Sequence, residues 1–184
     1  MTNRIPSYLE YVKTITITSA GSGYNTPVTL LIDAPTGDNP IQAVATATID
    51  FAGSGNITAI TITEGGDGYS LTPSIKVSGG ATTVTDTSET STGLDAGTYT
   101  GVSPSSTSGQ GQFGTFDIVI NGLGNVTSIT PNNGGDSYVQ DDTITFLPTV
   151  LGGTGSEKNV TGTISHINGG QGGLLTSEID IIAK

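Results

Sequence analysis

The side chains that could carry out acid-base or nucleophilic chemistry are few in this sequence. The chain of 184 residues has one histidine and no cysteine, so it has no thiol nucleophile, no disulfide and no thiolate metal ligand. His166 alternates with Ile164 in a segment with the period of a strand, and no Gly-x-Ser-x-Gly motif lies around it. We therefore expect His166 to be an exposed strand residue rather than a general base.

Pairs of carboxylates are the second possible source of catalysis. Asp141 with Asp142, or Glu64 with Asp67, could act as the acid and the nucleophile of a glycoside hydrolase, whose carboxyl groups stand roughly 5 to 10 Å apart. A sugar cleft also needs aromatic side chains that stack on the substrate, and the chain has no Trp. A polysaccharide depolymerase is therefore the least favoured function, and we predict that the protein is not an enzyme.

Two Gly-Gly-Asp turns, at Asp67 and Asp136, suggest calcium binding, because Gly-rich nonapeptide repeats with a recurring Asp bind Ca²⁺ in parallel β-helices. These two residues lie too far apart for a nonapeptide spacing, and Ser22 takes their place in an earlier turn. An Asp in a turn usually accepts hydrogen bonds from its own backbone. We expect no metal and no cofactor.

Acidic side chains outnumber basic ones by 16 to 5, which gives a net charge of −11. Affinity for nucleic acid rests on Lys and Arg that neutralise phosphates, and no basic cluster occurs in the sequence. No apolar run approaches the roughly 20 residues of a membrane span, and residues 1–6 lack the apolar region of a signal peptide. We expect no nucleic-acid partner, no membrane partner and synthesis in the cytoplasm.

Three segments share one pattern, in which a strand leads through a glycine-rich turn to a Tyr. They are residues 11–24, 56–69 and 125–138, and in each the final Tyr follows the first residue by 13 positions. A degraded fourth copy covers residues 159–173 and has no Tyr. Internal repeats of this kind predict a fold built from one repeated unit. The turn residues of the three copies are Gly21, Gly23 and Tyr24; Gly65, Gly66, Gly68 and Tyr69; and Gly134, Gly135 and Tyr138.

The residue before each Tyr is predicted to adopt a positive φ, which glycine tolerates because it has no Cβ. Gly23 and Gly68 suit this conformation, whereas Ser137 in the third copy predicts a different turn. Each Tyr ring can cover the open side of its turn while its hydroxyl reaches the surface. We expect the tyrosines to be structural rather than ligand-binding.

Apolar residues alternate with Thr or Ser within the copies, which is the period of a half-buried strand. A second strand follows each Tyr, and residues 43–49 and 115–120 form a further strand before the second and third copies. These further strands lead into Gly55-Asn56 and Gly124-Asn125, which suit a tight reversal and predict antiparallel hairpins. The predicted fold is all-β, with repeated antiparallel β-hairpin units that form a sandwich or a solenoid-like array and with little or no helix.

The alanines at positions 43, 45 and 47 share one face of their predicted strand. Small side chains on one face leave room for another sheet or another chain to approach closely.

Between residues 78 and 112 the pattern lapses into Ser, Thr, Gly and scattered acidic residues, which lack the apolar content for a core. We predict an insertion or linker there, between an N-terminal lobe of two repeat units at residues 1–77 and a C-terminal lobe at residues 113–184. An apolar tail, residues 174–182, ends the C-terminal lobe. The insertion and the tail are both expected to serve assembly.

The phrase Ile-Thr-Ile-Thr-x-x-Gly-x-Gly-Tyr followed by a Pro-led strand occurs at residues 15–27 and 60–73. It resembles a repeat of structural proteins in the virions of tailed phages, especially cyanophages, and bacterial surface and adhesin proteins use similar units. The third copy departs from the phrase, with Pro131 for an isoleucine and Ser137 for a glycine. The resemblance implies a passive virion component of the head, tail, baseplate or fibre, and we favour an accessory or decoration protein on the particle exterior.

The same resemblance implies the partners and the location of the protein. The expected partners are copies of the same chain, in a trimer or another ring, and other virion proteins, and the chain would be made in the host cytoplasm and reside in the virion. The second function is an adhesion module of a tail fibre or baseplate that binds host carbohydrate. The third is the polysaccharide depolymerase.

Overall fold

The computed structural model of the chain describes residues 8–37 and 39–183, and their regular structure is nearly all β-strand, which confirms the predicted class. The one helical element in these ranges is a 3₁₀ turn at Pro148–Leu151. No helix among these residues is long and apolar enough to cross a membrane. The strands are β1 (Tyr8–Ser22), β2 (Thr29–Ile32), β3 (Val44–Ile49), β4 (Ile57–Glu64), β5 (Ile75–Gly79), β6 (Ala81–Asp86), β7 (Gly97–Val102), β8 (Ser106–Thr107), β9 (Thr115–Ile120), β10 (Val126–Asn133), β11 (Tyr138–Val139), β12 (Thr143–Phe146), β13 (Val160–Ile167) and β14 (Gln171–Ala183).

Two compact units make up the chain, and neither is continuous in sequence. Of the described residues, the first unit contains 8–22, 29–37, 39–77 and 172–183, and the second contains 23–28 and 78–171. This division differs from the predicted boundaries at 1–77, 78–112 and 113–184. The difference arises because strands pair across long stretches of sequence, which a local pattern does not report.

In the first unit, β1 pairs with β14, β2 with β5, and β3 with β4. The apolar tail therefore completes a sheet within its own unit. Exposed polar contacts join the same two strands: the Lys13 ammonium lies 3.2 Å from the Asp180 carboxylate, and the Thr14 hydroxyl donates to Glu178 at 3.2 Å. One core cluster of this unit contains Val12, Ala43 and Tyr69, with Ile15, Ile32, Ile62 and Ile179 packed against them.

In the second unit, β9 lies between β10 and β7, and another sheet has the strand order β6-β13-β12-β8. Phe116 lies at the centre of an aromatic cluster, with its ring centroid 6.2 Å from that of Tyr138 and 5.7 Å from that of Phe146, both edge to face. Such edge-to-face pairs add stability beyond the area that they bury. Other fully buried side chains of the second unit include Ile118, Ile144, Val160 and Ile164.

Residues 78–112 are part of the second unit and contain β6, β7 and β8, so they are not the insertion without a core that we predicted. Ala81 and Leu94 are buried, at 1% and 5% exposure. The apolar residues of this segment are isolated among Thr, Ser and Gly, and they are buried by strands that come later in the chain. β6 pairs with β13, and β7 pairs with β9.

The predicted antiparallel hairpins are confirmed as β3–β4 and β9–β10, and they have the same register. Both contain two irregularities at equivalent steps, so the two units repeat one structural element in detail. The equivalent cross-strand pairs are Ala47–Ile60 with Ile118–Ile129, Ala45–Ile62 with Phe116–Pro131, and Thr46–Thr61 with Asp117–Thr130.

The loops of the two hairpins are also closed in the same way. The N–H of Asp50 donates to the carbonyl of Asn56 at 3.0 Å, and the N–H of Asn121 donates to the carbonyl of Asn125 at 2.9 Å. The glycine before each Asn has the predicted positive φ, whereas the Asn residues do not. The reversals are therefore longer loops rather than two-residue turns at the Gly-Asn steps.

Candidate functional site

The glycine turn of the first unit is built around backbone pairing between Asp67 and Ile41. The N–H of Asp67 donates to the Ile41 carbonyl at 2.9 Å, and the N–H of Ile41 donates back at 3.1 Å. Gly66 and Gly68, on either side of Asp67, have φ of 74° and 80°. The Asp67 carboxylate accepts the N–H of Gly68 at 2.8 Å, as expected for a turn aspartate. These bonds position the next residue, Tyr69.

Tyr69 closes this turn from inside the unit. Its side chain is 1% exposed, and its hydroxyl accepts a hydrogen bond from the N–H of Ala43 at 2.9 Å. Buried backbone N–H groups need a partner, and here a side chain provides one. The prediction that the hydroxyl reaches the surface is wrong, because its partner lies in the core.

The second unit repeats the same arrangement with different residues. Asp136 pairs with Gln112 through two backbone hydrogen bonds of 2.9 Å, and Gly135 has φ of 65°. Tyr138 is 1% exposed, and its hydroxyl accepts the N–H of Gly114. Burial raises the pKa of the Tyr138 hydroxyl, with a further contribution from the charge of Asp142, and the hydrogen bond from Gly114 opposes this shift.

Ser137 adopts the same left-handed conformation as Gly68, with φ of 61°, so the prediction of a different turn is wrong. Its N–H donates to the Asp136 carboxylate at 2.7 Å, as that of Gly68 does to Asp67. The turn geometry is therefore fixed by the surrounding backbone pairing, and the serine accepts the strain of the conformation.

In each turn, two glycines lie so close to neighbouring backbone that a larger side chain would collide with it. A Cβ on Gly66 would collide with the carbonyl oxygen of Ile41, and a Cβ on Gly135 would collide with that of Gln112. The glycines that begin the turns, Gly65 and Gly134, have no positive φ but lie against the neighbouring strand. Their carbonyls accept the N–H groups of Val12 and Ala81, respectively, at 2.8 Å.

The first copy of the turn contains residues from the sequence ranges of both units. Its φ is 62° at Gly21 and 81° at Gly23. The predicted positive φ is thus confirmed at Gly23 as well as at Gly68. Tyr24 is 2% exposed and belongs to the second unit with Gly23. A Cβ on Gly23 would stand 3.0 Å from the carbonyl oxygen of Gly169 in the fourth copy.

Asn168 has a structural role in the second unit that the sequence did not predict. It has φ of 48°, its side-chain oxygen accepts the N–H of Gly80 at 2.8 Å, and its side-chain nitrogen donates to the Pro27 carbonyl at 2.6 Å. Its own carbonyl accepts the N–H of Asn25 at 2.8 Å. The Asn-Gly-Gly sequence was the available signal, because Asn tolerates a positive φ.

The two carboxylates of each candidate pair lie in different environments. Asp142 is 8% exposed and accepts the N–H of Val139 at 2.9 Å, whereas Asp141 is exposed with φ of 72°. Asp67 is buried and also accepts the N–H of Glu10 at 3.1 Å, whereas Glu64 is exposed. In both pairs one carboxylate bonds backbone and the other faces solvent. Among residues 8–37 and 39–183, no group of three or more His, Asp or Glu side chains could hold a metal ion.

His166 is half-buried in β13, beside a register irregularity opposite Thr83 of β6. Its Nδ1 is buried and has no hydrogen-bond partner in the described part of the chain. The expectation of an exposed histidine is corrected by this burial. No carboxylate is hydrogen-bonded to its ring among those residues.

Phe113 has an exposed ring that the sequence did not predict. Phe113 has φ of 60° and is 76% exposed, which is an unusual conformation for a bulky residue. It borders a cleft of about 400 Å³ in the second unit. The cleft is lined by Ser103, Pro104, Ser105, Ser106, Thr107, Gly111, Gln112, Gly114 and Tyr138 as well as Phe113.

Comparisons with known proteins identify no relative. No family model matches the chain, and neither a curated protein nor a solved structure matches it.

Proposed function

We propose that the chain is a non-enzymatic structural component of a phage virion, an accessory or decoration protein on the exterior of the head or tail. The observation that carries this proposal is the repeated hairpin with its Tyr-closed turn. The polar groups of the two turns are used to hold backbone: Tyr69 and Tyr138 accept N–H groups, and Asp67 and Asp136 bond the residues that follow them. Side chains used in this way stabilise a scaffold.

The resemblance in the repeat phrase supplies the virion context, and the charge of the chain agrees with it. At −11, copies displayed on a particle would repel one another and other particles, which favours solubility. The partners proposed are copies of the same chain and other virion proteins.

Quantitative mass spectrometry of purified particles tests this proposal. Hundreds of copies per particle would indicate decoration of the head, and a few dozen would indicate a tail, baseplate or fibre component. A chain that is abundant in infected cells but missing from purified particles would contradict the virion role.

Carbohydrate binding by a fibre or baseplate module is the second candidate function, and Phe113 favours it. An exposed aromatic ring can stack on a sugar, and the hydroxyl and amide groups along the cleft can bond its oxygens. Backbone strain at an exposed ring is a reason to test for a ligand.

A glycan array with the purified chain separates the two functions. Binding that is lost in Phe113→Ala and retained in Phe51→Ala would support adhesion, since Phe51 is also exposed, at 55%, but lies in the first unit. An array without signal leaves the passive structural role as the better explanation. Release of reducing sugar ends from a bound glycan would instead indicate a depolymerase.

A further inference from the structure

The two equivalent hairpins differ in what lies along their outer strand. In the second unit, β9 pairs with β10 on one edge and with β7 on the other. In the first unit, β3 pairs with β4, and no strand within residues 8–37 and 39–183 pairs with its other edge. The second unit thus shows what a completed edge looks like in this fold, and the first unit lacks that strand.

The two outer strands also differ in the exposure of their side chains. Phe116 and Ile118 of β9 are fully buried, whereas Ala45 and Ala47, at the equivalent positions of β3, are half-buried. Val44 at the start of β3 is 48% exposed. The hairpin of the first unit therefore leaves apolar surface uncovered next to an open row of backbone groups.

Natural edge strands are usually protected from pairing by Lys, Pro, inward charges or bulges. The strand β3, with the sequence Val-Ala-Thr-Ala-Thr-Ile, has no charged residue and no Pro. The two irregularities of its hairpin place the extra residues, Thr58 and Thr63, in β4, so β3 itself is regular. β10, which is the outer strand on the other side of its hairpin, contains Pro131.

We propose that the free edge of β3 pairs with β3 of a second copy, in antiparallel orientation, to form a two-fold dimer. A two-fold axis at Thr46 places Val44 opposite Thr48 and Ala45 opposite Ala47 of the other copy. The contact is isologous, and neither copy of β3 carries a charged residue. The small alanines allow the two sheets to continue into one another.

This inference does not depend on the proposed function, because the same edge is open whatever the protein does. It also differs from the trimer or ring that the resemblance implies, since a self-complementary edge closes with two copies. Sedimentation equilibrium of the full chain should show a reversible monomer–dimer equilibrium.

Charge at the centre of the edge should disrupt the dimer. Thr46→Lys and Thr46→Glu place like charges opposite each other, and we expect both to raise the dimer dissociation constant about tenfold or more. Because the two variants change the net charge in opposite directions, a shared effect reports the contact. The matched controls are Thr61→Lys and Thr61→Glu, on the exposed residue directly opposite Thr46 in β4.

A cysteine cross-link provides an independent readout, because the chain has no cysteine of its own. Opposed residues of antiparallel strands have Cα atoms about 4.5 to 5.5 Å apart, which suits a disulfide. Thr46→Cys should form a covalent dimer on mild oxidation, and Thr61→Cys should not. A chain that stays monomeric and does not cross-link through Thr46→Cys would overturn the proposal and indicate that a strand of another protein pairs with the edge. A dimer whose dissociation constant is unaffected by Thr46→Lys and Thr46→Glu would also overturn it.

Discussion

Removal of one buried hydroxyl tests how the Tyr-closed turn stabilises the first unit. Tyr69→Phe keeps the ring but removes the oxygen that accepts the N–H of Ala43 at 2.9 Å. Both residues are buried, at 1% and 4% exposure, so water cannot replace the lost partner without opening the core. A buried donor without a partner costs about 1 to 3 kcal/mol, and we expect the free energy of unfolding to fall by that amount.

Tyr99→Phe is the matched control, because the Tyr99 hydroxyl donates to the Asp95 carbonyl at an exposed position. We expect a loss within about 0.5 kcal/mol for this variant. Urea denaturation followed by circular dichroism measures both variants. Tyr138→Phe should resemble Tyr69→Phe, since it leaves the N–H of Gly114 without its acceptor. If all three variants lose the same small amount, the hydroxyls do not close the turns as described.

Three further predictions concern the turns and the second unit. Gly68→Ala should lower the free energy of unfolding by about 1 kcal/mol because φ is 80°, and Ser137→Gly should raise it by about 0.5 to 1 kcal/mol because it relieves the same backbone strain. Urea denaturation measures both variants, and a destabilised Ser137→Gly would contradict the inference of strain at this position. Because Leu94 is buried, Leu94→Ala should lower the free energy of unfolding by about 2 to 5 kcal/mol, whereas Leu123→Ala, at a residue that is 76% exposed, should change thermal unfolding little. Equal melting temperatures for the two variants would show that residues 78–112 do not contribute to the core. Because the pKa of Tyr138 is raised in the folded state, its contribution to stability is present below pH 10 and is lost as the pH rises through the folded pKa. In thermal unfolding at alkaline pH, Tyr138→Phe should reduce this fall of stability with pH. An unchanged dependence of stability on pH would show that Tyr138 does not titrate as described.

Local features of the chain were predictable because short patterns determine them. The alternation of Ile with Thr predicted the strands, and the residues before Tyr24 and Tyr69 predicted left-handed turns that the structure contains. The hydroxyl of Tyr69 was misplaced because its partner, Ala43, lies on another strand, and nothing in the turn sequence indicates that contact.

Features that depend on distant pairing were not predictable from the same patterns. Leu94 is a single apolar residue among polar ones, and its burial depends on the rest of the second unit. The tail had a strong apolar signal, but its partner strand, β1, lies at the opposite end of the sequence. Ser137 misled the prediction for a related reason, because backbone pairing between Asp136 and Gln112 holds the turn whatever residue follows.

Electron cryomicroscopy of purified virions tests the proposed role most directly. Particles that contain the chain are compared with particles from which its gene has been deleted. The proposal predicts difference density on the outer surface of the head or tail, into which the two β units of the chain can be fitted. Identical maps from both particles, with the chain detected only in the lysate, would contradict a structural role in the virion.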